Sequence, residues 1–186
     1  MSLTDTDIRQ RIWSELKRAT LDRHHEWRAP VLATVGHDGA PQARTVVLRE
    51  ADPKRQQLLI YTDSRSLKVA ELAANPAAVL VFWSKRLGWQ LRVRATASVQ
   101  TVGPEVDAIW ARVRQSAAAA DYLSVAVPGS ALPAQSVPSD AQSNVVPKHY
   151  LALVTATVQE MDWLELARTG HRRAVFDAES WSWRVP

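Results

Sequence analysis

The segment Tyr61-Thr62-Asp63-Ser64-Arg65-Ser66-Leu67-Lys68 crowds hydroxyls and cations into one short stretch. Its order reads as the end of a strand, a tight turn and the opening of a helix. The first turn of a helix carries unpaired backbone N–H groups and partial positive charge, so it can hold an anion. Arg65 would add a bidentate guanidinium and Lys68 a compact ammonium. The simplest ligand that uses all of these groups is a phosphate. Read alone, the same residues also describe an ordinary N-cap with solvated charges. The rest of the chain has to decide between the two.

The elements needed to position that turn can be traced in order. Residues 5–28 follow helical spacing through Ile8, Ile12, Leu16 and Ala19, and Pro30 ends the pattern. Val31–Val35 reads as a strand, Gly36-His37-Asp38-Gly39 as a turn, and Pro41–Arg49 as a second strand completing a hairpin. Gln57–Tyr61 follows as a third strand. The helix that opens near Ser64 stops at Asn75-Pro76. Ala77–Trp83 and Trp89–Val102 form a long strand pair, and Pro104–Ala119 returns to helical spacing. Residues 128–149 are rich in Pro, Ser and Gln and form a long loop. Tyr150–Val158, Met161–Leu166, and a closing hairpin of His171–Asp177 with Trp181–Val185 complete the strands. About eight short strands joined by turns, with two or three inserted helices, predict a mainly β antiparallel barrel within a single domain spanning 1–186.

Composition bounds the function. The chain has 186 residues, 46% hydrophobic and 23% charged, as in ordinary globular proteins. It contains no cysteine, which excludes disulfides, thiolate nucleophiles and iron–sulfur ligation by this chain. No apolar run is long enough to span a bilayer, and the polar start is unlike a signal peptide, so no membrane partner and a cytoplasmic location are expected. A net charge of +4 and a pI near 9.8 favour phosphate-bearing ligands. The cations are scattered rather than clustered, so no nucleic-acid partner is expected. The eight tryptophans suit a core or a subunit interface. His24-His25 lacks the further ligands of a metal site, and no G-x-S-x-G hydrolase elbow or G-x-G-x-x-G nucleotide loop is present.

Several segments stand in a telling order: Arg44-Thr45-Val46-Val47-Leu48-Arg49, Tyr61-Thr62, Arg65-Ser66-Leu67-Lys68, Gln90-Leu91-Arg92, Trp163, and His171-Arg172-Arg173-Ala174-Val175. From about Trp27 to the C-terminus this order resembles the pyridoxamine 5′-phosphate oxidase-like family of FMN-binding split barrels. The resemblance implies a homodimeric antiparallel split barrel with FMN at the subunit interface. It implies cofactor contacts from Arg44, Thr45, Val46, Val47, Leu48 and Arg49 along one strand. Tyr61, Thr62, Ser66 and Lys68 would hold the phosphate and ribityl chain, with Arg65 standing one position before the family's serine. Gln90, Arg92 and Ser130 would reach the flavin across the interface, and Trp163 with one of Arg172 or Arg173, here taken as Arg173, would line it.

Strict alternation places Arg44 and Arg49 on opposite faces of a flat strand, so both can serve one ligand only through a bulge or main-chain contacts. No side chain stands out as catalytic, and the flavin would carry the redox chemistry. Arg44, Arg49 or Arg92 would neutralise charge building on the ring. NADH or NADPH is a candidate donor, with a small molecule or oxygen as the acceptor. The oxidase's C-terminal arginine–x–histidine order is missing here, and Arg49 stands where the oxidase has a substrate-contacting lysine. The implied substrate is therefore not pyridoxamine phosphate itself. The same fold would also suit a non-catalytic FMN carrier or sensor, or a deazaflavin or haem binder.

Overall fold

The computed structural model describes residues 4–131 and 149–186. Thr4 and Asp7 form a capping box that opens helix α1, Asp5–Leu21, and Ile8, Ile12, Leu16 and Ala19 form its buried stripe. The helix ends seven residues before the expected 28. Asp22 and His25 bond to local backbone N–H groups instead, leaving a 3₁₀ turn at Glu26–Arg28. That turn drives Trp27 fully into the core.

Nine strands, rather than eight, form one sheet in which every pairing is antiparallel. In chain order they are β1 Val31–Val35, β2 Pro41–Thr45, β3 Leu48–Asp52, β4 Gln57–Asp63, β5 Ala77–Ser84, β6 Trp89–Gln100, β7 Leu151–Glu165, β8 Arg172–Phe176 and β9 Trp181–Arg184. Helix α2, Leu67–Ala74, and helix α3, Pro104–Val113, are inserted between them. The sheet order is β2-β1-β5-β6-β7-β4-β3, with β8 and β9 continuing from the far half of β7.

Three expected elements are redrawn. Pro41–Arg49 is two strands, because Val46 N–H donates to the Pro30 carbonyl and turns the chain from its β1 partner toward β4. The two strands expected at Tyr150–Val158 and Met161–Leu166 are one, β7, with Gln159 as a bulge residue opposite Arg94 and Ala95. The helix expected over Pro104–Ala119 stops at Val113 and resumes as a 3₁₀ turn, Ala117–Tyr122.

Alternation along β5 and β6 buries Leu80, Phe82, Trp89, Leu91 and Val93 against α1 and Trp27. Trp89 meets Trp163 edge-on at 5.2 Å. On the opposite side of the β4–β7 pair, Leu59, Leu151 and Leu153 pack against Val106, Ile109 and Tyr122. Among the described residues no helix is long and apolar enough to cross a membrane.

The β5–β6 turn depends on Gly88. Its φ is +66°, and a Cβ there would lie 2.6 Å from the Leu166 carbonyl oxygen. Gly88→Ala is expected to lower the melting temperature by about 4–8 °C, given a left-handed penalty of about 1–2 kcal/mol plus the clash. Calorimetry showing an unchanged transition would contradict this role.

Candidate functional site

The site is built around the end of β4 and the start of α2. The Ser66 hydroxyl does not cap α2; it donates to the Asp63 carbonyl at 2.7 Å and lies 3.3 Å from the Thr62 hydroxyl. No side-chain hydrogen bond from Ser66 therefore caps the helix start. Lys68 reaches back from the first turn, and its Nζ donates to Thr62 Oγ1 at 3.0 Å. Burial, then the nearby Arg44 charge, pulls the Lys68 ammonium below its ordinary pKa, against the pull of Glu71 and Asp63.

A cavity of about 250 Å³ opens beside these groups. Thr45, Val46, Val47 and Arg49 form one wall, and Tyr61, Thr62 and Lys68 another. Asp63, Asp121 and Tyr122 complete the lining. The strand break at Val46–Val47 lets consecutive residues face this space. Leu48 pairs with Ile60 and Glu50 with Leu59, leaving Arg49 as the extra residue of a bulge. The bulge that a common ligand for Arg44 and Arg49 would need is thus present. Arg49 Nε is buried without a hydrogen-bond partner. The Tyr61 hydroxyl donates to Glu50 at 2.9 Å, and burial followed by that bond raises its pKa, so it stays neutral.

Other expected site residues lie elsewhere. Arg44 points under α2, where it pairs with buried Glu71 at 2.7 Å and bonds Thr34. Leu48 is fully buried in the core. Arg65 is turned outward from the cavity lining. It pairs with Asp63 at 2.7 Å, donates to the Ser124 carbonyl at 2.8 Å, and stacks over Tyr150 at 3.4 Å. Its guanidinium straps the segment after Tyr122 to the β4–α2 turn.

A second group sits on the opposite end of the sheet. Gln90, Arg92 and Arg94 point outward from β6, in register with Trp83, Val81 and Val79 of β5. Arg92 and Arg173 both bond the Asp162 carboxylate, Arg173 at 2.8 Å. Burial opposes ionisation of Asp162, but these bonds outweigh it and hold its pKa below the ordinary value. Trp163, next in β7, points the other way into the core, so it does not join Arg173 on that face. The Ser130 hydroxyl donates to the Val127 carbonyl, and the rest of the expected 128–149 loop, residues 132–148, lies outside the described residues. Neither group shares the cavity lining with Lys68 within one chain.

Asp63, Asp121, Tyr122 and Asp162 were not anticipated. Asp63 had a readable signal, since a carboxylate two residues before Arg65 competes for its guanidinium. Tyr122 had none, because a distant 3₁₀ turn delivers it. Among the described residues no cluster of three or more His, Cys, Asp or Glu side chains could hold a metal ion.

An antiparallel sheet carrying a cavity lined by Arg49, Lys68, hydroxyls and two carboxylates beside a helix start defines a β-fold protein with donors for a phosphate. The profile described as pyridoxamine 5′-phosphate oxidase, FMN-binding domain, matches residues 8–101. A pyridoxine/pyridoxamine 5′-phosphate oxidase of Azorhizobium caulinodans is 34% identical over 186 aligned positions, covering 95% of this chain and 86% of that protein. The chain belongs to the pyridoxamine 5′-phosphate oxidase family. A Microcystis aeruginosa oxidase of the same name is 41% identical over 81 residues, but this match spans only 37% of that relative's length. An FMN-binding, pyridoxamine 5′-phosphate oxidase-related crystal structure from Nostoc punctiforme superposes with a TM-score of 0.72 at 23% identity and full coverage of both chains. That likeness shows the shared fold.

The Asp63–Arg65 pair makes stability pH-dependent. Burial raises the Asp63 pKa, but the Arg65 hydrogen bonds win and hold it below the ordinary 3.8. A carboxyl depressed by folding stabilises the protein above its unfolded value and loses that contribution as pH falls through the folded one. Urea unfolding from pH 7 down to 2.5 should show Asp63→Asn less stable at neutral pH and less acid-sensitive below about pH 4. Parallel curves for the two proteins would exclude the pair from acid unfolding.

Proposed function

We propose that this chain is an FMN-dependent oxidoreductase whose substrate is not pyridoxamine phosphate itself. The observation that carries the reading is Arg49, which lines the Lys68 cavity and whose Nε is buried without a hydrogen-bond partner. A buried guanidinium nitrogen without an acceptor is costly, and an anionic oxygen would satisfy it. Lys68, Thr62 and the uncapped start of α2 offer further donors suited to a phosphate. Asp63 does not oppose that anion strongly, because Arg65 already neutralises it. The family's FMN-binding domain description agrees with this donor set. FMN, when bound, supplies two-electron redox chemistry, and the protein's part is to hold and orient it.

About 250 Å³ is small for a whole flavin nucleotide, since ligand sites usually enclose about 300–1,000 Å³. The remaining contacts are assigned to a second copy of the chain. The outer face of β1, β5 and β6 presents Val31, Val79, Val81 and exposed Trp83 beside Gln90 and Arg92. Pairing two such faces would close a split barrel and bring Gln90, Arg92 and Arg173 toward the partner's cavity. His171 is exposed ahead of β8, and Val175 occupies the register opposite Asp162. This edge therefore lacks the arginine–x–histidine arrangement expected for vitamin B6 phosphate.

The purified protein should show flavin absorbance and release FMN on heating, and sedimentation should give a dimer. Lys68→Ala is expected to weaken FMN binding about 10- to 100-fold, the equivalent of one charged hydrogen bond. Arg49→Leu should do likewise. Anaerobic NADH or NADPH should bleach the flavin. A stable spectrum under both donors would assign the protein to carriage or sensing, and a colourless protein indifferent to added FMN would overturn the proposal.

A further inference from the structure

A second cavity is larger than the one beside Lys68. It encloses about 580 Å³ between α1, the β3–β4 turn, the β7 bulge and the end of β8. It shares no lining residue with the Lys68 cavity, which sits at the other end of the β3–β4 hairpin. Its volume falls within the usual range for a small-molecule site.

Trp13 from α1, Met161 from β7 and Phe176 from β8 give it an apolar, partly aromatic lining. Three amides converge on the same space from three elements: Gln10, Gln56 and Gln159. Two of these come from backbone irregularities. Gln56 is the single non-glycine residue with positive φ among those described, at +54°, and Gln159 is the β7 bulge residue. Strain and bulges of this kind concentrate where a side chain must be aimed. The Gln56 amide nitrogen donates to the Pro53 carbonyl at 2.6 Å, which leaves its oxygen as an acceptor.

The charge balance in the lining is positive. The Lys54 backbone N–H donates to Asp52 at 2.8 Å, but its ammonium has no hydrogen bond or ion pair among the described residues. Arg9 lies 4.6 Å over the Phe176 ring and donates to the carbonyls of Asp177 and Ser180, so no carboxylate contacts it. Asp177 is the one carboxylate in the lining, and its oxygen already accepts from the backbone N–H groups of Glu179 and Ser180 at 2.9 and 2.7 Å.

We propose that this cavity is a second binding site, for a planar heteroaromatic carboxylate of one or two rings. The ring lies against Trp13 and Phe176, the glutamines bond its heteroatom edge, and Lys54 receives the carboxylate. No covalent step is involved. The flavin site does not enter the argument.

Quinoline-2-carboxylate is the probe, with neutral quinoline as its uncharged counterpart, titrated by calorimetry into the protein as purified. Quinoline-2-carboxylate should bind with a Kd below about 100 μM, and quinoline at least tenfold more weakly. Lys54→Gln should remove most of the preference for the acid and leave quinoline unchanged. Gln10→Trp, at an exposed helical position that tolerates substitution, should abolish binding of both while the melting temperature and flavin absorbance stay as in the parent. Absence of heat up to about 5 mM acid, or undiminished binding to a folded Gln10→Trp protein, would overturn the site.

Discussion

Along Leu151–Glu165, one edge pairs with β6 from Leu153 onward and the other with β4 and then β8. A strand confined in this way can change neighbours only if it bends, and the Gln159 bulge supplies the bend. Before it, β7 carries β4 and, through β4, the Lys68 cavity. After it, β7 carries Asp162, Trp163 and the C-terminal hairpin. The bulge also reverses which alternate residues face inward, so Val154 and Ala156 share a core with Met161 and Trp163. Gln159 itself lines the cavity under α1.

A second constraint acts locally at β3. Where the chain leaves β1 for β4, Val46 N–H bonds the Pro30 carbonyl, and the next hydrogen-bonded register skips Arg49. An unbroken strand would have alternated its side chains between core and solvent. The break and bulge together place Thr45, Val46, Val47 and Arg49 on one cavity wall, while Leu48 and part of Val46 pack into the core.

Much of this was legible in the sequence where a repeat of two or 3.6 residues ran unbroken. β5 and β6 alternate cleanly, and α1 shows its stripe. Legibility failed where tertiary contacts set the boundary. Val46-Val47 contains no turn residue, so the partner change there is invisible without Pro30 beside it. Gln159-Glu160 looks like a gap between strands because the bulge inverts the alternation. The cavity's β3 and β4 walls could be inferred from ordered segments, but Asp121 and Tyr122 arrive from a distant 3₁₀ turn. Arg65 had the right charge in the right neighbourhood, and the nearer carboxylate of Asp63 claimed it.

That claim has a mechanical side. Arg65 is joined at once to Asp63, to the Ser124 carbonyl and to the Tyr150 ring, so it ties the strand end to the segment that follows Tyr122. Tyr122 is a cavity wall. Swinging that wall aside would pull the guanidinium away from a carboxylate already out of contact with water. The wall is thus held in part by a charge that does not itself line the cavity.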